Sequence, residues 1–324
     1  MEHYLAEVAN IMKAEKAFEV DQIQSLWSGY GKIVRVGLEG VQLNSAIVKH
    51  IILPQQANHP RGWNTNNSHQ RKVKSYKVEM NWYQHYADLC DDFCRVPKCY
   101  GVKSIGEEQL IILEDLDAAG FSLRKSHLSI TEVKLCLSWL ANFHAIFLNQ
   151  SPKGLWKVGT YWHLNTRPDE FDAMDDRELK HAATQIDELL NNCKYQTLVH
   201  GDAKVANFCF SKDVQQVAAV DFQYVGGGCG IKDVAYLLGS CLTELECELH
   251  ENELLDYYFK ELKIALDKAG NKLNFSELKN EWTCLYPIAC TDFTRFLMGW
   301  MPTHQKLNEY SKKQVEKALK LIGK

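Results

Sequence analysis

The hydrophobic period of this chain changes with position, and that change dictates a mixed α+β architecture. Tyr4 to Phe18 carries Leu5, Val8, Ile11 and Met12 at helical spacing. Short β-branched runs follow at Ile23 to Trp27, Lys32 to Leu38 and Ala46 to Leu53, with Ser28-Gly29-Tyr30-Gly31 between the first two. Arg71 to Cys90 resumes helical spacing through Tyr76, Met80, Tyr83 and Ala87. Two further strands are expected near Cys99 to Ser104 and Gln109 to Leu113. This order predicts a sheet with one long helix laid across it.

Most of the remainder reads as helix. Ser129-Ile130-Thr131-Glu132 is a capping box, and Leu135, Trp139, Phe143 and Phe147 then recur at every fourth position, which predicts a buried central helix. Helical patterns also cover Asp172 to Asn191, Asn252 to Ala269, Ser276 to Met298 and Lys312 to Ile322. Leu198 to Tyr224 breaks the pattern, with β-like runs at Phe208 to Phe210 and Val217 to Val220. Loop-like composition is confined to Pro54 to Ser68 and the glycine run Gly226 to Gly230.

Composition narrows the class of partner. With 37 basic and 41 acidic residues among 324, the net charge of −4 gives no electrostatic footprint for nucleic acid or an anionic membrane. A small-molecule partner is the expectation that remains. No run approaches the roughly 18 apolar residues of a membrane span. Eleven cysteines, an odd count, and an N-terminus without a long apolar stretch predict reduced thiols and a cytoplasmic location. Oligomeric state is not written in the sequence.

The informative polar residues lie in the interruption. In Val199-His200-Gly201-Asp202-Ala203-Lys204-Val205-Ala206-Asn207, an Asp, a Lys and an Asn follow one another at steps of two and three. After the second β-like run comes Ala219-Val220-Asp221-Phe222-Gln223, an acid leaving the end of an apolar strand. Phosphoryl transfer needs a carboxylate to take the attacking hydroxyl's proton and oxygen ligands for a hard cation. Asp202, Asn207 and Asp221 are groups of those kinds. Lys204 is a cation two residues from the presumed base, suited to charge on a transferring phosphoryl.

This pattern resembles the catalytic and metal loops of the eukaryotic-type kinase superfamily. Its His-Gly-Asp form and Asp-Phe-Gln ending are similar to the small-molecule branch: aminoglycoside phosphotransferases, choline kinases and above all the ecdysteroid-kinase-like group. The likeness runs from about Trp27 to Trp300. It implies a bilobal protein-kinase-like fold, with an antiparallel nucleotide-binding lobe at 1–117 and a helical catalytic and substrate-binding lobe at 118–324. It also implies an ATP- and Mg²⁺-dependent transfer to a small-molecule alcohol, in which Asp202 and Lys204 act catalytically and Asn207 and Asp221 hold metal. Lys49, in Ile47-Val48-Lys49, would reach the α- and β-phosphates with Glu79 as its helix partner. Ser28, Gly29 and Gly31 would form the turn over the phosphates. Glu114, Asp115 and Leu116 match the inter-lobe hinge whose backbone meets adenine. A catalytically inactive nucleotide-binding module, or a protein kinase, is the competing expectation.

Several residues carry two readings each. His200 is expected to hold the loop rather than act as a base, and Asp233 either braces that loop or caps the helix from Val234. Gly226 to Gly228 is a phosphate nest or a flexible, shortened activation segment, the second being preferred. Cys90, Cys94 and Cys99 lack zinc-site spacing. The acidic run from Glu244 to Glu253 attracts a polycation or is a solvated helix face. Trp282, Tyr286, Asp292 and Trp300, with Phe293, Arg295 and Phe296, line an acceptor pocket or pack a core. Tyr161, Trp162, His163 and Arg167 form a second polar-aromatic cluster with the same two readings.

Overall fold

The five-stranded sheet of the N-terminal third owes its faces to the two-residue period of a strand. Residues 3–26, 29–53 and 66–323 are described by the computed structural model. Helix α1 (His3–Met12) leads into β1 (Lys16–Ser25), β2 (Gly31–Glu39), β3 (Ser45–Ile52), helix α2 (Asn66–His85), β4 (Cys99–Ile105) and β5 (Glu108–Glu114). Strand order is β1-β2-β3-β5-β4, antiparallel at every pairing. Val34, Val36, Val48, Leu110 and Ile112 form one buried face with Tyr4, Leu5 and Val8 of α1. Lys49, next to Val48, therefore emerges on the opposite face, where α2 supplies its partner.

One expected element is shorter than its pattern. The helix beginning at Tyr4 stops at Met12, because Lys13 turns to φ +55°, and Lys16–Ser25 becomes an edge strand instead. Phe18 and Val20 alternate there with Glu19 and Asp21, and bulges between Glu19 and Asp21 and between Gln22 and Gln24 disturb the alternation. The β1–β2 turn closes with Leu26 N–H donating to Gly31 O at 2.8 Å. Gly31 sits at φ +118°, and a Cβ there would lie 2.0 Å from the His50 carbonyl oxygen, so glycine is required. Trp27, Ser28 and residues 54–65 lie outside the described residues.

The chain packs as two compact units: Met1–Leu89 with Val96–Leu123 and Cys209–Val220, and Cys90–Arg95 with Arg124–Phe208 and Asp221–Lys324. The second is built on α3 (Ile130–Ile146), which the expected Ser129/Glu132 capping box begins and which packs on α7 (Glu244–Lys268). Trp139, Phe143 and Phe147 are each at most 1% exposed, as a central helix requires. Helices α4 (Pro168–Asp172), α5 (Arg177–Asn191), α6 (Ile231–Cys241), α8 (Phe275–Trp300) and α9 (Glu309–Leu321) complete it. Helix α7 starts at Glu244 rather than near Asn252, because Thr243 and Glu246 cap each other reciprocally.

The acidic run on α7 faces its neighbours. Glu248 pairs with Lys313, Glu251 accepts from Tyr310, and Glu253 pairs with Lys134. Among the described residues, no helix is long and apolar enough to cross a membrane.

The glycine run departs from its expected character. Gly226–Gly228 is strand β9, paired antiparallel with β6 (Thr197–Val199). A Cβ on Gly226 would lie 2.3 Å from the Trp156 carbonyl oxygen, and one on Gly227 would lie 2.8 Å from that of Lys157. The glycines therefore admit the 156–159 backbone against the strand. This is close packing, not the flexible segment the sequence suggests.

Candidate active site

Strand β6 delivers the chain into the loop that begins at His200, and β7 (Phe208–Phe210) receives it after Asn207. The loop holds its shape through Asp233, in the first turn of α6. Asp233 Oδ2 accepts from His200 N–H at 2.6 Å, and Oδ1 accepts from Gly201 N–H at 3.0 Å. His144 Nε2 lies 3.2 Å from Asp233 Oδ2, and Nδ1 lies 2.8 Å from the Tyr258 hydroxyl. A neutral His144 protonated on Nε2 satisfies both contacts, donating to Asp233 and accepting from Tyr258. Of the two readings of Asp233, the loop brace is the one its hydrogen bonds support; the helix is entered from Gly230 without a side-chain cap. Ser240 adds a second tie, its Oγ accepting from Val205 N–H at 3.0 Å.

His200 is fully buried, and its ring lies 4.7 Å from that of Phe222. Its Nδ1 stands 3.3 Å from the Asp202 backbone nitrogen. The ring therefore packs and orients the turn from within, which is the work of a scaffold.

Asp202, Lys204 and Asn207 converge as their spacing predicts. Asp202 Oδ2 accepts from Lys204 Nζ at 2.9 Å and from Asn207 Nδ2 at 3.2 Å. Asn207 Nδ2 also donates to the Asp202 carbonyl at 2.8 Å. Both contacts use the amide nitrogen, so the amide oxygen is the atom through which Asn207 could meet a cation. Asp202 Oδ1 is buried without a hydrogen-bond partner of good geometry, and the Tyr236 hydroxyl acts on the same carboxylate. A buried carboxylate oxygen held open in this way is costly unless a ligand completes it.

The charges have physical causes. Burial pushes the Asp202 carboxyl up, Lys204 opposes, and the negative charge of Asp221 adds to the rise. Burial pulls the Lys204 ammonium down, but Asp202 and Asp221 more than offset it and hold the group above its ordinary value. Two carboxylates that repel one another fit a divalent cation. Asp221 follows β8 (Val217–Ala219) and is held at φ +69°, a left-handed conformation that side chains other than Gly, Asn and Asp rarely adopt.

In the first unit, Lys49 Nζ donates to Glu79 Oε2 at 2.6 Å, with both residues at most 5% exposed. The Lys49 ammonium also lies 5.8 Å from the centre of the Tyr76 ring. At 114–116 much of the polar inventory is engaged. Glu114 N–H donates to Lys98 O, while the carbonyls of Asp115 and Leu116 accept from Ala119 and Phe121. Asp115 Oδ2 accepts from Arg35 Nε and Ser45 Oγ, both at 2.8 Å. Burial pushes the Asp115 carboxyl up, but those two partners prevail and hold it below its ordinary value. The Asp115 side chain is thus a brace between strands. Gly29 belongs to the β1–β2 turn, its N–H donating to Leu26 O; Ser28 lies outside the described residues.

The residues named from the C-terminal stretch separate. Trp282 is buried against His144 and Tyr258 and donates Nε1–H to Tyr195 O. The Tyr286 hydroxyl pairs with that of Tyr310 at 2.8 Å. Asp292 binds Arg295 at 2.6 Å and accepts from Trp162 Nε1 at 2.9 Å, and Trp300 stacks on Phe296 at 5.7 Å.

Phe293, Phe296 and Trp300 from that stretch join Tyr161 and Trp162 in one cluster, while Trp282 and Tyr286 lie elsewhere. Tyr161 meets Phe296 at 5.5 Å and Trp162 meets Phe293 at 5.1 Å, with Arg167 over the rings of Tyr161 and Phe296. Tyr161 N–H donates to the carbonyl of Gly201, the residue before Asp202, which places this cluster beside the loop. Tyr236 and Lys306, which no motif marks, also belong to it. Tyr236 sits on α6, where its helical spacing reads as core.

Comparison with known proteins gives two family-model matches along the chain. Residues 33–153 match a family model described as the ecdysteroid kinase-like family. Residues 168–323 match a second, DUF1679, described as "Uncharacterized oxidoreductase dhs-27". No curated protein matches the sequence. Among solved structures, the microcompartment-associated aminopropanol kinase aligns at TM-score 0.52 and 14% identity, covering 97% of this chain and 94% of that one. The amicoumacin kinase hAmiN, in complex with AMP-PNP, Ca²⁺ and Ami, aligns at TM-score 0.56 and 14% identity, covering 99% and 94%. The chain has the α+β fold of these kinases, and its likeness to the small-molecule kinases is shown at the level of family model and fold. Within the matched residues 168–323 the described strands form only two-stranded sheets, β6 with β9 and β7 with β8, and no parallel dinucleotide-binding sheet.

Proposed function

We propose that this protein is a phosphotransferase that moves the γ-phosphate of ATP, with Mg²⁺, to the hydroxyl of a small molecule. The observation that carries the reading is the buried, open Oδ1 of Asp202, on a carboxylate whose other oxygen is fixed by Lys204 and Asn207. Such a carboxylate can orient an incoming hydroxyl and take its proton. Lys204 opposes the rise that burial imposes on that carboxyl and supplies positive charge for a phosphoryl group in transit. Asn207, through its amide oxygen, and Asp221 would hold the metal. Bound there, Mg²⁺ would neutralise phosphate charge. Lys49, fixed by Glu79, would hold the α- and β-phosphates, while Gly29 and Gly31 would shape the turn near them and the 114–116 backbone would meet adenine.

The kinase-like family match and kinase neighbours support the reaction class. One of those neighbours is in complex with AMP-PNP and Ca²⁺, which supports a nucleotide and a divalent cation here too. The test is incubation with Mg-ATP and a panel of alcohols, followed by ³¹P NMR for a new phosphoester. We expect product from at least one alcohol with wild type and none with Asp221→Asn. Equal product from Asp221→Asn would overturn the assignment.

A further inference from the structure

Lys306 lies in the segment between α8 and α9, far in sequence from the Asp202 loop, and its ammonium sits inside the aromatic cluster beside that loop. Nζ is 5.3 Å from the centre of the Tyr236 ring and 5.6 Å from that of Phe293. Those two rings are themselves 4.9 Å apart and inclined at 69°, so they make two walls around one cation. Tyr161 joins them, at 5.7 Å from Tyr236 and 6.4 Å from Phe293. Burial disfavours the charge on that ammonium, Cys241 and Asp202 act against this, and Lys204 adds to it. An ammonium between aromatic faces is what such a box would otherwise take from a cationic ligand.

We propose that Lys306 is a specificity residue that fills the cation position of the acceptor site, so that the acceptor is an alcohol without a cationic group that presents an oxygen to the Lys306 ammonium. This rests on Asp202 being the group that meets the acceptor hydroxyl. A second cation in the same box would meet Lys306 at close range with little water between them. A carbonyl, hydroxyl or carboxylate oxygen would instead accept a hydrogen bond from an ammonium that the surrounding rings only partly compensate. Tyr161 and Phe293 are half-buried, so part of the box wall is open to a ligand.

The experiment uses a pair of alcohols of nearly equal shape and opposite charge state, choline and 3,3-dimethylbutan-1-ol. Binding to the full-length protein is measured by calorimetry with AMP-PNP and Mg²⁺ present, and phosphoryl transfer is measured separately with ATP. Wild type should bind the neutral alcohol at least about tenfold more tightly than choline. Lys306→Met should reduce or reverse that ratio, and Lys306→Arg should keep it. Wild-type preference for choline, binding of neither alcohol to any of the proteins, or an unchanged ratio in Lys306→Met would each overturn the proposal. Lys306→Gln replaces the Met variant if that one does not fold. The binding readout needs no chemistry. A shifted ratio without phosphoester from any alcohol would therefore sink the phosphotransferase reading and leave the role of Lys306 standing.

Discussion

The Asp202 loop concentrates its chemistry in side chains that differ in what their loss should cost. Asp202→Asn keeps the shape but removes the proposed proton acceptor, and should lower turnover by about 10³-fold, read as initial rate at saturating ATP. Asp233→Asn cannot accept from His200 N–H, Gly201 N–H and His144 together. It should cost about 2–3 kcal/mol of stability in urea unfolding. Lys306 predicts a pH effect. Burial, opposed by Cys241 and Asp202, pulls its ammonium down to about 8, below its unfolded value of 10.5. Between those two values the unfolded chain binds more protons than the folded one, so this group's contribution to stability rises with pH across that window and is flat below it. Lys306→Met should remove the rise; an unchanged melting profile between pH 8 and 10 would contradict it. Asp202, Lys204 and Asn207 could be read from the sequence because one short loop carries all three. Lys306 could not, because its place depends on how α8 and α9 fold back on α6.

At the scale of elements, local chemistry made some boundaries legible and left others hidden. The Ser129/Glu132 box marks the start of α3 directly, since both partners lie within one turn. The pair Thr243 and Glu246 caps α7 in the same way, but its exposed first turns carry too few apolar residues to show a stripe. The strand expected from Ile23 overlaps only the end of β1, and its earlier part was hidden because an edge strand with most of its side chains exposed has little apolar alternation to read. The glycine run misled for a different reason. Glycine permits both mobility and close approach, and only the 156–159 backbone decides which applies. Gly226→Ala should therefore destabilise by at least about 2 kcal/mol, since the added Cβ would meet the Trp156 carbonyl oxygen at 2.3 Å. Chemical denaturation reads this, and a change below about 0.5 kcal/mol would show that the strand can give way.

For the whole molecule, the proposed function requires that nucleotide, metal and acceptor all be held by a chain of near-neutral charge. A net charge of −4 cannot draw ATP by its field, so binding must come from a few placed groups. Ligand binding to the folded state should then raise stability, by about 2.7 kcal/mol at a hundredfold excess over Kd. Lys49→Met should abolish that ATP-dependent gain in Tm. It should also lower the Tm without ligand, because Glu79, 2% exposed, loses its buried ion pair with Lys49. The β-rich first third and helical remainder were legible from the change of hydrophobic period. The meeting of the Tyr161 and Phe293 clusters was not, because no local pattern records which distant helices come together.

The most direct test compares two quantities on one protein: ATP affinity by calorimetry and the rate of phosphoester formation on an accepted alcohol, in wild type and Asp202→Asn. Nucleotide affinity should stay within about threefold, and product formation should be slower by about a thousandfold, in the variant. Product formed at the wild-type rate by Asp202→Asn, with ATP bound equally well, would contradict it.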